Sequence, residues 1–283
     1  MMRGRQTMAT AVRRPGGGLA IDTQPLPAIY TGWMRKAPVL RGVIVLIESM
    51  TLGVKSLLYS TNVSLEEEQE KVSGGQLGLM MAVALAFSVA LFFILPLFLT
   101  RLFHFNSSLV FNLVDGVIRV AILITYLKLM ILVPDIKRTF AYHGAEHATV
   151  NAYESGVPIE LEAVRGHSKE HVRCGTSFMF VVMVISILVF SLVGLHSAWL
   201  MVLSRIILIP VIASLSYEII YFGGRHTGNA LVRAVLAPGL WLQSLTTREP
   251  DDSQLEVAIA ALRKVVEAEE GKTELAGEAG ASS

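Results

Sequence analysis

The stretch QLGLMMAVALAFSVALFFILPLFLT, residues 76 to 100, decides the fold class. It contains no charged side chain, and as a helix rising about 1.5 Å per residue it is longer than the roughly 30 Å hydrocarbon core of a bilayer. Three further stretches are long and mainly apolar: 109 to 133, 177 to 197 (SFMFVVMVISILVFSLVGLHS) and 199 to 222. Composition agrees, since 53% of the 283 residues are hydrophobic and only 17% charged, well outside the soluble norm. The sequence therefore predicts a mainly α, polytopic membrane helical bundle with about four transmembrane helices. A formal net charge of +1 leaves no basic footprint for nucleic acid. The single cysteine, Cys174, excludes an intrachain disulfide and leaves a thiolate ligand available. The arginine-bearing N-terminus lacks the apolar core of a signal peptide.

Working outward from the spans, residues 1 to 36 are polar and turn-rich, and Arg14-Pro15-Gly16-Gly17-Gly18 marks a hairpin in a small N-terminal β element. Residues 37 to 75 comprise an apolar segment, 41 to 60, and an acidic linker, SLEEEQEKVSGG. The apolar segment carries Glu48 and Lys55, each costing roughly 2.5 to 3.5 kcal/mol at a bilayer centre, so it reads as an interfacial or re-entrant helix. Residues 76 to 134 hold the first two spans, 135 to 176 a polar loop, and 177 to 222 the last two spans. Beyond them lies a membrane-proximal segment, 223 to 270, in which Ser253 and Glu256 make a capping-box spacing and Leu255, Ile259, Leu262 and Val266 form one apolar helix face. Residues 271 to 283 read as a disordered tail. With four spans, Arg3, Arg5, Arg13 and Arg14, the loop cations Lys137, Arg138, Arg165, Lys169 and Arg173, and Arg225 and Arg233 share one side, which the positive-inside rule makes the cytosol. Both termini are then cytosolic.

The polar loop carries the chemistry. In YHGAEHATVNAYESG (142 to 156), His143 and His147 stand one helical turn apart with Glu146 beside them, the H-x-x-E-H spacing in which two imidazoles share a cation and the carboxylate takes a proton from the attacking water. In HSKEHVRCGTSF (167 to 178), His167, His171 and Cys174 stand at i, i+4 and i+7, offering two nitrogens and a thiolate. The donor set favours zinc, with iron or manganese as alternatives. Glu218, near the end of the last span, is the candidate distal ligand. Plainer readings stand beside these: His167 as a solvated residue, Cys174 as a small packing residue, Glu146 as an acceptor that orients a histidine, and Glu218 as the partner of an arginine. Within the second span, Asp115 and Arg119 stand at i, i+4, where they neutralise each other.

These blocks, with MMRG, SYEIIYFGGR and PGLWLQSLTTREPDDSQLEVAIAAL, resemble the YqhQ-like family of bacterial membrane proteins, whose function is unknown and whose description as metal-dependent enzymes rests on the histidine motifs. The resemblance spans nearly the whole chain and implies a multi-pass protein of the bacterial cytoplasmic (inner) membrane. The family pattern carries a glycine-rich segment ahead of MMRG that this sequence does not show.

Two functional readings follow. The first is a metal-dependent hydrolase with a cytosol-facing site in which His143, His147 and His171 supply nitrogens, Cys174 or Glu218 completes the shell and Glu146 acts as acid and base. The second is a non-enzymatic factor that assembles other membrane proteins, with a structural metal site and a partner docked on the apolar stripe of the C-terminal helix. Membrane lipids surround the protein in either case. A transporter reading lacks the matched broken helices of an inverted repeat.

Overall fold

A computed structural model describes residues 1–65, 74–193 and 198–281. Most of the acidic linker expected from 64 to 75 lies outside the described residues. The chain opens with three antiparallel strands in sequence order, β1 (Met2–Arg3), β2 (Thr7–Arg13) and β3 (Leu19–Pro25). The β2–β3 register runs from Thr7 opposite Pro25 to Arg13 opposite Leu19. The turn falls where the Arg-Pro-Gly run predicts it, and Gly17 and Gly18 take φ of 93° and 78°, a region costly for residues with a Cβ.

Helices α1 (Ala28–Thr31), α2 (Leu40–Ser64), α3 (Gly74–Val89) and α4 (Leu95–Arg101) follow, the last two made continuous by a π-helical turn, Ala90–Ile94. Next come α5 (Ser108–Met130), α6 (Pro134–Glu154), α7 (Leu161–Arg165), α8 (Gly175–Val193), α9 (Ala198–Arg225), α10 (Ala230–Gln243) and α11 (Asp252–Ala281). Local signals set several starts. Ser107 accepts a hydrogen bond from the Val110 amide at the head of α5, Asn229 accepts one from Leu231 at the head of α10, and Pro134 occupies the first turn of α6, where a missing N–H costs nothing. The capping box of α11 lies two residues earlier than expected: Asp251 accepts from the Gln254 amide at 2.9 Å, and the Gln254 side chain accepts from the Asp251 amide at 3.0 Å. That helix also continues to Ala281, past residue 269 where the apolar pattern stops.

Among the described residues, five helices rather than four are long and apolar enough to cross a membrane: Leu40–Ser64, Gly78–Arg101, Ser108–Met130, Gly175–Val193 and Trp199–Arg225. The added one is α2, continuous through the segment expected to be interfacial or re-entrant. Its Glu48 is 3% exposed and paired with Arg3, at 2.8 Å, and with Arg35, so its charge is neutralised within the protein. Both guanidiniums come from residues outside the helix, which a window scan along the segment cannot credit. Helix α2 crosses α9 at Gly42, where a Cβ would stand 2.6 Å from the Ser214 Cα.

Two layers position the site. In the apolar bundle, α8 packs against α5, α9 and α10, with Leu123, Leu127, Met183 and Leu242 in its interior. Beneath it, α6 presents Ala145, Ala148 and Ala152 to Leu255, Ile259 and Leu262 of α11, and the sheet closes the other side of α11 through Met2 and Ala9. Alanines on one face let the two helices approach closely, and burying the three large α11 side chains stabilises the layer by about 4 to 9 kcal/mol as an upper bound. The apolar stripe of α11 is thus covered within the chain, and the surface expected to receive a partner protein is spent on the sheet and α6.

Candidate metal centre

Helix α6 carries His143 and His147 one turn apart, and the loop after α7 brings Cys174, immediately before α8, up to them. One ligand atom from each of these three residues lies within 4.8 Å of the other two. The Cys174 Sγ and His143 Nε2 are 3.3 Å apart. In tetrahedral coordination with Zn–N near 2.05 Å and Zn–S near 2.3 Å, such a ligand pair is separated by about 3.5 Å. The imidazoles are oriented from behind: His143 Nδ1 lies 2.9 Å from the Thr246 carbonyl, and His147 Nδ1 lies 2.7 Å from the Lys169 carbonyl. A carbonyl can only accept, so each Nδ1 carries the proton and each Nε2 is left free as a donor to a cation.

The thiol is held in the form a metal takes up, whereas His143 sheds a proton to bind one. Burial is the largest influence on the Cys174 thiol and opposes ionisation, but the hydrogen bonds and charges of His143 and His147 outweigh it and lower the thiol from 9.0 to about 5. Burial likewise works against protonating His143, yet hydrogen bonding to Cys174, the thiolate charge and the Thr246 carbonyl hold its pKa above the ordinary value. His171 is shifted down, first by burial and then by the charge of His147, and so is kept neutral. A thiolate is the form a metal takes up.

The cluster opens into a cavity of about 1000 Å³ also lined by Glu146, His171, Arg3 and Glu269. Glu146 is partly exposed on the same helix, beside both histidines of the cluster. A second cleft, of about 630 Å³, reaches out toward Trp241 and Leu240, and Glu154, His171 and Arg173 line both spaces.

Not every expected ligand arrives. His171 lines the cavity with its ring centroid 5.9 Å from that of His147, but its Nε2 faces Glu154 at 3.4 Å and it stands outside the three-residue cluster. His167 turns back to the Ala163 carbonyl, at 2.8 Å, because the turn after α7 aims its ring along its own helix. Glu218 lies against α2, receiving the Arg41 guanidinium at 2.7 Å and the Val39 amide at 3.1 Å. It takes the ion-pair reading.

Sequence reasoning missed the group behind the ligands. Gln243, fully buried, accepts from the His171 amide at 2.6 Å, donates to the His171 carbonyl at 3.0 Å and reaches Ser177 Oγ at 3.2 Å. The same segment supplies the Thr246 carbonyl, and the Arg248 amide donates to the Phe140 carbonyl of α6 at 3.0 Å. Gly144, between the histidines, lets α6 approach the Arg248 carbonyl where no Cβ would fit. The available signal was the polar run after the apolar stretch of α10, in QSLTTR.

A membrane protein with a largely buried His₂Cys cluster at the end of its apolar bundle is the class that fold and site define. Residues 37–268 match the family described as "Protein of unknown function (DUF1385)", and the chain belongs to that family. It is similar to the uncharacterized protein YqhQ of Bacillus subtilis (strain 168), with 34% identity over 289 aligned positions covering 95% of this chain and 90% of that protein. No solved structure matches.

Proposed function

We propose that this protein is a metal-dependent hydrolase of the bacterial cytoplasmic membrane, with zinc held by His143, His147 and Cys174 at the cytosolic membrane surface. The observation that carries this reading is the donor set: two imidazoles fixed through Nδ1 by the Thr246 and Lys169 carbonyls, and one thiolate, all three ligand atoms mutually within 4.8 Å. Three protein ligands beside a cavity fit a catalytic zinc, whereas a structural zinc is closed by four. Zinc supplies Lewis acidity that brings the pKa of water to about 7. Glu146 takes the proton from the attacking water and returns it to the leaving group, and its place on the ligand helix fixes its reach. His171, held at its backbone by Gln243, lines the cavity with its Nε2 turned toward Glu154.

The orientation rests on the charge bias together with contacts between segments. Met1 lies beside Glu146, the Gln6 amide donates to Glu269 at 2.8 Å, and Arg13 pairs with Glu256 at 2.8 Å, so the sheet shares a side with α6 and α11. Leu52, Ser56 and Val63 of α2 face the same sheet. This supports α2 lying along the membrane surface on the sheet's side while the other four apolar helices cross. The assembly-factor reading keeps less support, because its docking face on α11 is covered.

Metal analysis of detergent-purified protein tests the proposal. One equivalent of zinc is expected, falling to background in His143→Ala with His147→Ala. Absence of stoichiometric metal, or metal content unchanged in that variant, overturns it. Cobalt substitution then separates the two classes of site: solvent ligation supports catalysis, and four protein ligands refute it.

A further inference from the structure

The cleft that joins the metal cavity opens where the chain meets lipid. Helix α10 bears a single charged residue, Arg233, and its exposed side is otherwise apolar, with Leu231 73%, Val235 56% and Trp241 57% exposed. Its other side is seated on two helices that have the length and composition of membrane spans: Leu236 packs with Val181 of α8 and Ile220 of α9, and Gly239 lies against Ser177. Val181 stands about 9 Å along α8 from its polar end, a depth at which lipid chains surround the uncovered side of α10. Trp241, near the end of α10, is the residue type that seats at a membrane interface. From Trp241 the cleft, of about 630 Å³, passes Leu240, Val172 and Gly224 to Arg173, which also lines the cavity of His143, His147 and Cys174. Both spaces are of a size that holds a small-molecule ligand. Arg173 donates to Glu154 through Nη2, while its Nη1 and Nε make no hydrogen bond among the described residues. Gly224 leaves room for that guanidinium's stem, since a Cβ there would stand 3.1 Å from the Arg173 Cγ. The other acid of the cleft, Glu170, is held by the Ser168 hydroxyl at 2.8 Å. None of the residues lining the cleft belongs to a strand, which leaves an extended peptide no edge to pair with.

We propose that this cleft takes a phospholipid from the leaflet that borders the site, with one chain lying past Trp241 and Leu240, the phosphate on Arg173 and the head group entering the metal cavity, so that membrane phospholipid is the substrate class of the site. As a statement about substrate this rests on the hydrolase reading, whereas the binding itself needs no metal. The order of the walls carries it: an apolar mouth set in lipid, a guanidinium with two unengaged donor groups where the two spaces meet, and the His₂Cys cluster beyond. The planar fork of an arginine matches two phosphate oxygens at once. A water-soluble substrate has no need of a mouth at Trp241, and a lipid without phosphate leaves Nη1 and Nε of Arg173 unused.

The test places the full-length protein in phospholipid nanodiscs doped with an ether-linked phospholipid that carries a diazirine part-way along one chain; after photolysis, peptide mass spectrometry maps the adducts. Labelling is expected within 168 to 173 and 240 to 244, the walls of the cleft, as well as on the lipid-facing side of α10. Thr227→Trp, at an exposed turn residue that lines the cleft, fills the space and reduces the 168 to 173 adducts to background while those at 231 to 238 persist. Arg173→Gln lowers cleft labelling about tenfold, the loss of a charge-assisted hydrogen bond. Wild-type labelling confined to 231 to 238 overturns the proposal by showing only the surrounding bilayer, a result that needs no variant to fold. Equal cleft labelling by a diacylglycerol analogue that lacks the phosphate, or by a photoreactive transmembrane peptide, also overturns it. Zinc content measured on the same samples separates the two readings: absent cleft labelling with zinc bound removes the phospholipid and leaves the hydrolase, whereas cleft labelling without zinc supports the lipid site and removes the hydrolase.

Discussion

Gly144→Ala separates the geometry of the metal centre from helix propensity, because the two predict opposite signs. Alanine in the middle of α6 gains about 1 kcal/mol over glycine if nothing touches it. At Gly144, however, the new methyl falls well inside contact distance of the Arg248 carbonyl oxygen, 3.3 Å from its carbon and 3.5 Å from its nitrogen. These are backbone atoms and cannot rotate away. Relief requires α6 and the segment 246 to 248 to part by up to about 1 Å, and overpacking of this kind costs about 1 to 3 kcal/mol. The same movement stretches the 2.9 Å contact between His143 and the Thr246 carbonyl and the 3.0 Å bond from the Arg248 amide to Phe140, each worth about 0.5 to 1.5 kcal/mol. After the propensity gain is subtracted, a net loss of about 1 to 5 kcal/mol remains. Zinc affinity falls in parallel by about 10- to 100-fold, the usual effect of losing a group that orients a ligating histidine. Chelator competition on the detergent-purified protein measures the affinity, and unfolding of the metal-free form measures the stability. A variant as stable as wild type, or more so, with unchanged zinc affinity refutes the argument.

Gly42→Ala pushes α2 off α9 against the Ser214 Cα and destabilises by about 1 to 3 kcal/mol, while Gly53→Ala on the same helix, where a Cβ meets nothing within 4 Å, is neutral or stabilising by up to about 1 kcal/mol; paired melting curves read the contrast. Gln243→Leu leaves the His171 amide and carbonyl without their partner and costs about 1 to 3 kcal/mol, measured as a lowered unfolding midpoint, with His143 and His147 still bound to metal. In metal-free protein, thiolate absorbance of the sole cysteine, read against Cys174→Ser, titrates near pH 5. Because that midpoint lies below the ordinary 9.0, the ionised thiol stabilises the fold fully above pH 9, and the contribution is lost as pH falls through about 5; His143, shifted upward, contributes in the opposite sense as pH rises through its own midpoint. A thiol that titrates above pH 8 refutes the assigned contact.

Residues whose role is set by nearby sequence were readable before the structure. The apolar stretches needed only their length, the hairpin needed Arg14 through Gly18, and the pairs His143/His147 and Asp115/Arg119 needed only the pitch of a helix. Cys174 stood out as the sole thiol, three residues beyond His171. What was not legible was which distant partner several of the charged groups take. Glu48 had no visible counter-ion, because nothing in residues 41 to 60 reveals Arg3 and Arg35 closing on it. Glu218 was drawn toward the site by its position in the last span, yet Arg41, 177 residues earlier, holds it. His167 and His171 shared the one-turn spacing that served His143 and His147, but their segment is a loop rather than a helix, so the spacing placed no two rings on one face.

The same distinction explains how the centre is built. A pair of histidines on a helix fixes only two rays from one axis; convergence on a point needs a third direction and a means of stopping the rings from turning. Cys174 supplies the third direction from the head of α8. The rotation is stopped by two carbonyls, Thr246 after α10 and Lys169 in the loop, which belong to residues whose side chains take no part. Backbone acceptors leave no residue-specific trace in a sequence, so the clustered side chains were legible while their orientation was not. The α10-to-α11 connection thus serves as a brace, tied to the ligand helix by the Arg248 amide, to the His171 loop by Gln243, and to α11 by the Asp251 cap. A chain break between Thr247 and Asp251 tests this: the brace requires zinc affinity to drop even though every ligand remains, and unchanged affinity would show that α6 and the His171 loop hold the geometry unaided.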